Sequence, residues 1–294
     1  MKVAAAKYAI QAPASFDAFA QRQRRLLEGV AAQGAGIAVL PEYLSLELAS
    51  TLAPDIAGDL HASLAAIQRY REPWLALFSA IARDTGMIVA AGTFLVDSGT
   101  GRYRNRADLL LPGGAHAWQD KLQLTGFEKA TGLIDGGDAL KVFDVGGLRL
   151  GLAVCYDIEF PLPVRAQYEA GARLLLVPSC TDTAAGATRV RVGCLARALE
   201  NRCFVARAVT AGEAPWNPAL DVNTGEAALH APMDAGWPAD GVVAATVGDA
   251  QWAVAELDFA ALEDSRAHAQ VANDRDWRGQ SLPGVASARV ERLD

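Results

Sequence analysis

An α/β fold is predicted by three observations on the 294-residue chain: β-rich runs alternate with stretches of helical spacing, Gly and Pro stops separate them, and 51% of residues are hydrophobic against 21% charged. Residues 2–10 read as a first strand. Phe16, Phe19, Leu26, Leu27 and Val30 recur at roughly helical spacing, and Gly34 and Gly36 stop that helix before a strand at 37–40. Pro73 marks a helix start, and residues 74–85 lead into a strand at 87–96. Strands near 107–111 and 116–119 flank PGGA, a hairpin signal. The second half opens with a strand at 142–144, a GG turn and a strand at 148–154. A helix at 162–170 ends at Gly171, and a strand at 173–177, a helix at 188–201 and a strand at 203–209 follow. The stretch EAPWNPALDVNTG reads as a loop within the fold, and 242–247 with 252–257 as a terminal strand pair. One unit is expected over residues 1–277, with a tail at 278–294.

Composition excludes several classes of function. The net charge of −7 and the lack of clustered Lys and Arg argue against a nucleic-acid footprint. The RQRR run at 22–25 reads as the solvated face of a helix. No apolar run approaches membrane-spanning length, and the N-terminal MKVAAAKYAIQ lacks a secretory pattern. Cys155, Cys180, Cys194 and Cys203 are too few and too unpatterned for a disulfide framework, so a cytoplasmic setting is expected. No Cys pair has CxxC spacing and the four His are scattered, so no metal site is expected.

Glu42, Lys121 and Cys155 each sit just past an apolar, strand-like run, in GIAVLPEYL, HAWQDKLQL and LRLGLAVCYDIEFP. Ends of strands in α/β sheets are where turns bring side chains from several strands to one crevice. A thiol nucleophile, a carboxylate to take its proton and an ammonium to hold an oxyanion are the parts of acyl transfer. Taken singly, each residue has an ordinary reading as a loop acid, a solvated lysine or an inert core thiol.

Together with KLQLTGFE at 121–128, CYDIEFP at 155–161 and the strings LLLVPSCTDT and RVGCLARALENRCFV, this order resembles the nitrilase, or carbon–nitrogen hydrolase, superfamily over about residues 2–277. The resemblance implies a four-layer αββα sandwich. It implies that Cys155 attacks an amide carbonyl, that Glu42 is the base, and that Lys121 and the backbone N–H of Tyr156 hold the oxyanion. Glu128 would orient Lys121 or the substrate, while its ordinary reading is a loop acid paired with Lys129 or an Arg. Lys121 is also expected to lower the thiol pKa of Cys155 from its free value of about 8.5.

Tyr156-Asp157 after the cysteine resembles amidase-type members more than nitrile-cleaving ones, which implies a small-molecule amide substrate; nitrile hydrolysis is the alternative. Glu159 stands where several amidases of dicarboxylate monoamides carry Arg, which either disfavours a carboxylated substrate or is spent on Arg165 or another basic residue. Tyr43, Glu159 and Thr181 are candidate substrate contacts. Cys180, Cys194 and Cys203 read as packing thiols. No cofactor is implied, and the resemblance implies a homodimer or higher homo-oligomer through the helices near 162–170 and 188–201. Two other readings stay open: an interaction module or partner-fed glutaminase on the same fold, and a papain-like pair using His230.

Overall fold

The computed structural model describes residues 1–293. Its first-half strands are β1 (Lys2–Ala9), β2 (Ile37–Val39), β3 (Ile88–Asp97), β4 (Tyr103–Leu110), β5 (His116–Asp120) and the short β6 (Ile134–Asp135). The second half adds β7 (Val142–Val145), β8 (Leu148–Leu152), β9 (Leu174–Ser179), β10 (Phe204–Glu213), β11 (Val222–Asn223), β12 (Ala228–His230), β13 (Val242–Ala245) and β14 (Trp252–Glu256). The helices are α1 (Phe16–Ala31), α2 (Pro54–Ala57), α3 (Leu60–Ile67), α4 (Arg71–Thr85), α5 (Gly126–Thr131), α6 (Pro161–Glu169), α7 (Ala184–Asn201), α8 (Phe259–Ser265) and α9 (Asn273–Asp276).

The strands run in the order β5-β4-β3-β2-β1-β10-β9-β8-β7, and β1 is where two sheets divide. Its Val3–Ala5 stretch pairs in parallel with β2, and its far end, from Lys7 to Ala9, pairs in parallel with β10. Side-chain alternation then builds the layers. Val3, Ala5, Ile37, Val39, Ile88 and Ala90 point into the core shared with the second sheet. Ala4, Ala6, Ala38, Leu40, Val89 and Ala91 point to the opposite core, with Phe19 and Leu27 of α1 and Trp74 and Phe78 of α4. On the far side of the second sheet, Val164 of α6 and Val190, Cys194 and Ala198 of α7 pack with Leu174–Val177. Helix, sheet, sheet and helix make the four expected layers.

Most expected elements form, with informative differences. Pro73 falls in the first turn of α4, where a missing N–H leaves no hydrogen bond unmade, so the helix begins two residues earlier at Arg71. Helix α7 begins at Ala184 because the Thr183 side chain accepts the Gly186 N–H as its cap. The hairpin flanking PGGA forms, with Leu110 opposite His116. The two terminal strands do not pair with each other: β13 extends the second sheet beside β12, while β14 runs antiparallel to β1 in the first. The EAPWNPALDVNTG stretch contains β11, which pairs with β10. The RQRR run is not wholly solvated, since Arg22 pairs with the buried Glu47 and lies against Tyr8. The expected boundary at 277/278 falls inside a 3-10 turn, Trp277–Ser281, and of the expected tail Asp294 lies outside the described residues. Among the described residues no helix is long and apolar enough to cross a membrane.

Candidate active site

β2, β8 and β9 run parallel, and β5, antiparallel to β4 and so codirectional with β3, ends at the same edge. The residues that follow these strand ends therefore converge on one crevice, a cavity of about 510 Å³ lined by Glu42, Tyr43, Lys121, Cys155, Glu159, Cys180 and Thr181 among others.

Glu42 is held from two sides. Its N–H donates to the Ser179 carbonyl at 3.3 Å, and the next residue, Tyr43, donates its N–H to Thr93 Oγ1 at 2.8 Å while adopting a left-handed φ of 60°. Gly92 makes room for this crossing, because a Cβ there would lie 2.3 Å from the Pro41 carbonyl oxygen. Lys121 follows β5, with its N–H on the Asn105 carbonyl at 2.8 Å. Its Nζ reaches Glu42 Oε1 at 2.8 Å and the two oxygens of Glu128 at 3.0 and 2.8 Å.

Glu128 faces inward because it closes a capping box on α5. Its Oε2 accepts the Thr125 N–H at 2.8 Å, and Thr125 Oγ1 accepts the Glu128 N–H at 3.3 Å. The other oxygen, Oε1, accepts the Tyr43 hydroxyl at 2.7 Å. Glu128 is thus paired with Lys121 and not with Lys129 or an arginine. The pattern Thr125-x-x-Glu128 is a readable capping signal that would have predicted α5.

Cys155 opens a 3-10 turn, Cys155–Glu159, in a left-handed conformation, φ 49°, which is uncommon for a non-glycine residue. The buried Asp157 carboxylate fixes that turn: it accepts the Val154 N–H at 3.1 Å and, from the segment after Lys121, the N–H groups of Leu122 and Gln123 at 3.1 and 2.7 Å. One side chain therefore sets the position of the thiol relative to the ammonium. Sequence reading gave Asp157 no such role. Tyr156 precedes the first bond of the turn, from Asp157 N–H to the Val154 carbonyl, so its own N–H is among the donors a helix start leaves free.

The electrostatics follow from burial. Burial lowers the affinity of Lys121 for its proton, but the Glu42 and Glu128 carboxylates outweigh it and hold the ammonium well above its ordinary range. Burial also opposes ionisation of Glu128, yet Lys121 and the hydrogen bonds from Thr125 and Tyr43 hold it below the usual value. For Glu42 burial wins, reinforced by the Glu128 charge, and its pKa is raised. Cys155 is pushed well up, first by burial and then by Glu42, against the pull of Lys121. Lys121 pulls the thiol down as expected, but burial and Glu42 outweigh it, leaving the protonated form favoured, with the sulfur donating to the Cys180 carbonyl at 3.4 Å. Glu42 is the one of the two carboxylates whose proton affinity is raised, and it lines the same cavity as the thiol.

The remaining candidates fall on the walls and mouth. Tyr43 and Thr181 line the cavity, with the Thr181 hydroxyl on the Thr224 carbonyl at 2.7 Å. Glu159 lies 3.7 Å from Arg189, also a lining residue, while Arg165 pairs instead with Glu169 at 2.9 Å. Cys180 packs against one core as expected, but unlike the buried Cys194 and Cys203 it is only half-buried, also lines the cavity and donates to Asn223 Oδ1 at 3.1 Å. His230 is buried in β12 with both ring nitrogens lacking a protein partner, and it is not among the cavity residues. Burial, with the nearby Arg207 charge, lowers its pKa to about 3, which leaves a papain-like pair with Cys155 unsupported.

Comparison with known proteins agrees with this geometry. The chain is 28% identical over 282 residues to the "Probable hydrolase YhcX" of Bacillus subtilis, covering 95% of this chain but only 54% of that protein, so it spans about half the length of that relative. It is 24% identical over 264 residues to "Omega-amidase NIT2-A" of Xenopus laevis, covering 86% of this chain and 88% of the relative. The fold superposes on a carbon–nitrogen hydrolase from Helicobacter pylori with a TM-score of 0.78 at 16% identity, over 98% of both chains. A family model described as carbon–nitrogen hydrolase matches residues 2–266, and the chain belongs to that family.

Proposed function

We propose that the protein hydrolyses a small non-peptide amide to the acid and ammonia through a thioester on Cys155. The observation that carries this reading is the buried cluster in which Lys121 joins Glu42 and Glu128 beside a thiol held on a left-handed turn. Because the resting sulfur is protonated, attack and proton removal are coupled: the S–H proton passes to Glu42 as sulfur bonds to the carbonyl carbon. The electron pair moves to the carbonyl oxygen, where the Lys121 ammonium and the Tyr156 N–H receive it. Glu42 then gives its proton to the departing nitrogen, the C–N bond breaks, and ammonia leaves the thioester. Water attacks next, its proton going to Glu42; the C–S bond breaks and the sulfur regains a proton. Glu128, fixed by its capping box, keeps Lys121 aimed.

Tyr156-Asp157 supports an amide over a nitrile as substrate, and the amidase name of a relative matched over most of both chains is in keeping with it. The exposed Leu162 and Val192 on α6 and α7 support a homodimer or larger assembly through those helices. The test is ammonia release from a panel of amides and nitriles by the wild type and by Cys155→Ala, with mass spectrometry for an acyl adduct on Cys155. Cys155→Ala is expected to be inactive and folded, since a methyl replaces a thiol of similar size. Turnover near the wild-type level in Cys155→Ala would end this mechanism.

A further inference from the structure

Asn105, on β4, is fully buried and has been given no role. Its Nδ2 donates to Glu42 Oε1 at 2.8 Å and lies 3.4 Å from Glu128 Oε1. These are the same two oxygens that Lys121 Nζ meets at 2.8 and 3.0 Å. Its Oδ1 has no protein partner. That asymmetry fixes the amide: turned over, it would set oxygen lone pairs against two carboxylates. The cluster has two acids and one ammonium, so with both acids ionised a negative charge is left over among side chains at most 2% exposed. A neutral double donor shared between the acids offsets that excess without neutralising the lysine.

We propose that Asn105 is a positioning residue of the reaction, holding Glu42 ionised and aimed at the thiol by sharing its amide hydrogens between Glu42 and Glu128. The inference rests on the reading of Glu42 as the base of Cys155. A purely structural role for Asn105 is already met by its backbone, whose carbonyl accepts the Lys121 N–H and which any residue can supply. The side chain adds nothing to that strand bond. The groups that act on Glu42 from the surrounding elements are Lys121 after β5, Glu128 on α5, Cys155 on its turn, and Tyr43 and Cys180, both of whose own ionisation is opposed by the Glu42 charge.

The sign of the effect is set by the mechanism. Glu42 must be ionised to take the thiol proton, so kcat/KM falls as pH falls through its pKa. Removing a donor to the ionised form raises that pKa, and the acid limb moves to higher pH. Asn105→Leu, close in size and without donors, is expected to move the limb up by about one to two pH units, the size of one lost charge-assisted hydrogen bond. It should also lower kcat at neutral pH by at least about tenfold with KM within about twofold, because the ground-state pocket is untouched.

The second readout is the pH dependence of Cys155 alkylation by iodoacetamide, which needs no substrate and is expected to shift in the same direction. If Asn105→Leu does not fold, Asn105→Ser is measured instead, its hydroxyl being too short to bridge both acids. A folded variant whose acid limb stays at the wild-type pH in both profiles overturns the proposal. Failure of the wild type to release ammonia from any amide would count against the amidase reading alone, since the alkylation profile would still report on Asn105 and Glu42.

Discussion

Lys121 and Glu42, at the floor of the cavity, and Glu128, which pairs with Lys121 beneath it, have side chains only 0–2% exposed, whereas Glu159 and Arg189 at its mouth are 21% and 61% exposed. Each floor residue is tied to several elements at once: Glu128 alone meets Lys121, Tyr43 and Thr125. The mouth pair stands 3.7 Å apart with water beside it, an arrangement worth about 0–1 kcal/mol. A change at the floor strands a buried charge, while a change at the mouth is absorbed by solvent. On the proposed mechanism the chemistry would thus be built into the packing of the fold, and the choice of substrate would be carried by side chains that packing leaves free.

The sharpest way to break that contrast is to remove floor charges. Glu42→Gln and Lys121→Met are each expected to lower kcat by at least about 100-fold, the size of losing a general base or a preorganised oxyanion donor. Lys121→Met should also lower the melting temperature, because it leaves two buried carboxylates facing each other with no cation between them. Lys121→Arg should not restore activity, since a planar guanidinium does not occupy the place of a compact ammonium between two carboxylates. Near-normal kinetics for Lys121→Met would remove the lysine from oxyanion stabilisation.

Gly92→Ala tests whether the floor depends on backbone placement as well as on charge. The φ of +73° disfavours alanine, and the added Cβ would lie 2.3 Å from the Pro41 carbonyl oxygen, so β3 or the Pro41–Glu42 segment must shift. A stability loss of about 1–3 kcal/mol is expected from the strained conformation. A fall in kcat of at least about tenfold should accompany it, because a 1 Å displacement of a catalytic group is costly. Denaturant unfolding and steady-state kinetics read the two separately. Full activity in a folded Gly92→Ala would show that Glu42 tolerates displacement.

This contrast also explains what sequence reading reached. Glu42, Lys121 and Cys155 were legible chiefly because the strings around them, KLQLTGFE and CYDIEFP among them, resemble one family, and more weakly because each follows a strand-like run, and strand ends gather at one edge of an α/β sheet. Asn105 left a fainter trace. In YRNRADLL it falls in phase with the buried Tyr103 and Ala107, not with the half-exposed Arg104 and Arg106, so it is a polar residue on an inward face. The segment Leu44–Thr51 carried no usable period, since six successive residues, Leu44 to Ala49, are buried as it coils in a 3-10 turn behind the site. The cavity exposure of Cys180 was not legible because it depends on where β9 ends relative to β8, a matter of packing between strands. The upward shift of the Cys155 pKa is likewise a product of burial, which spacing along the chain does not reveal.

The smallest effect is expected at the mouth. Glu159, Asp182 and Asp221 line the cavity there against a single base, Arg189. With that excess of acids among the lining residues, an amide bearing a distant ammonium should be accepted over one bearing a carboxylate. Glu159→Gln removes one acid and also releases Arg189 from its partner, so both changes favour a carboxylate. The ammonium-to-carboxylate ratio of kcat/KM, measured on matched amides ending in methyl, ammonium and carboxylate, should fall by about three- to tenfold, as for exposed charges screened by salt. The methyl-ended amide should be nearly unaffected, which separates a charge effect from a change in shape. Raising the ionic strength should shrink the difference in the wild type. A wild-type preference for the carboxylate, or a ranking that Glu159→Gln leaves unchanged, would remove Glu159 from substrate selection and leave Arg189 as its only neighbour of consequence.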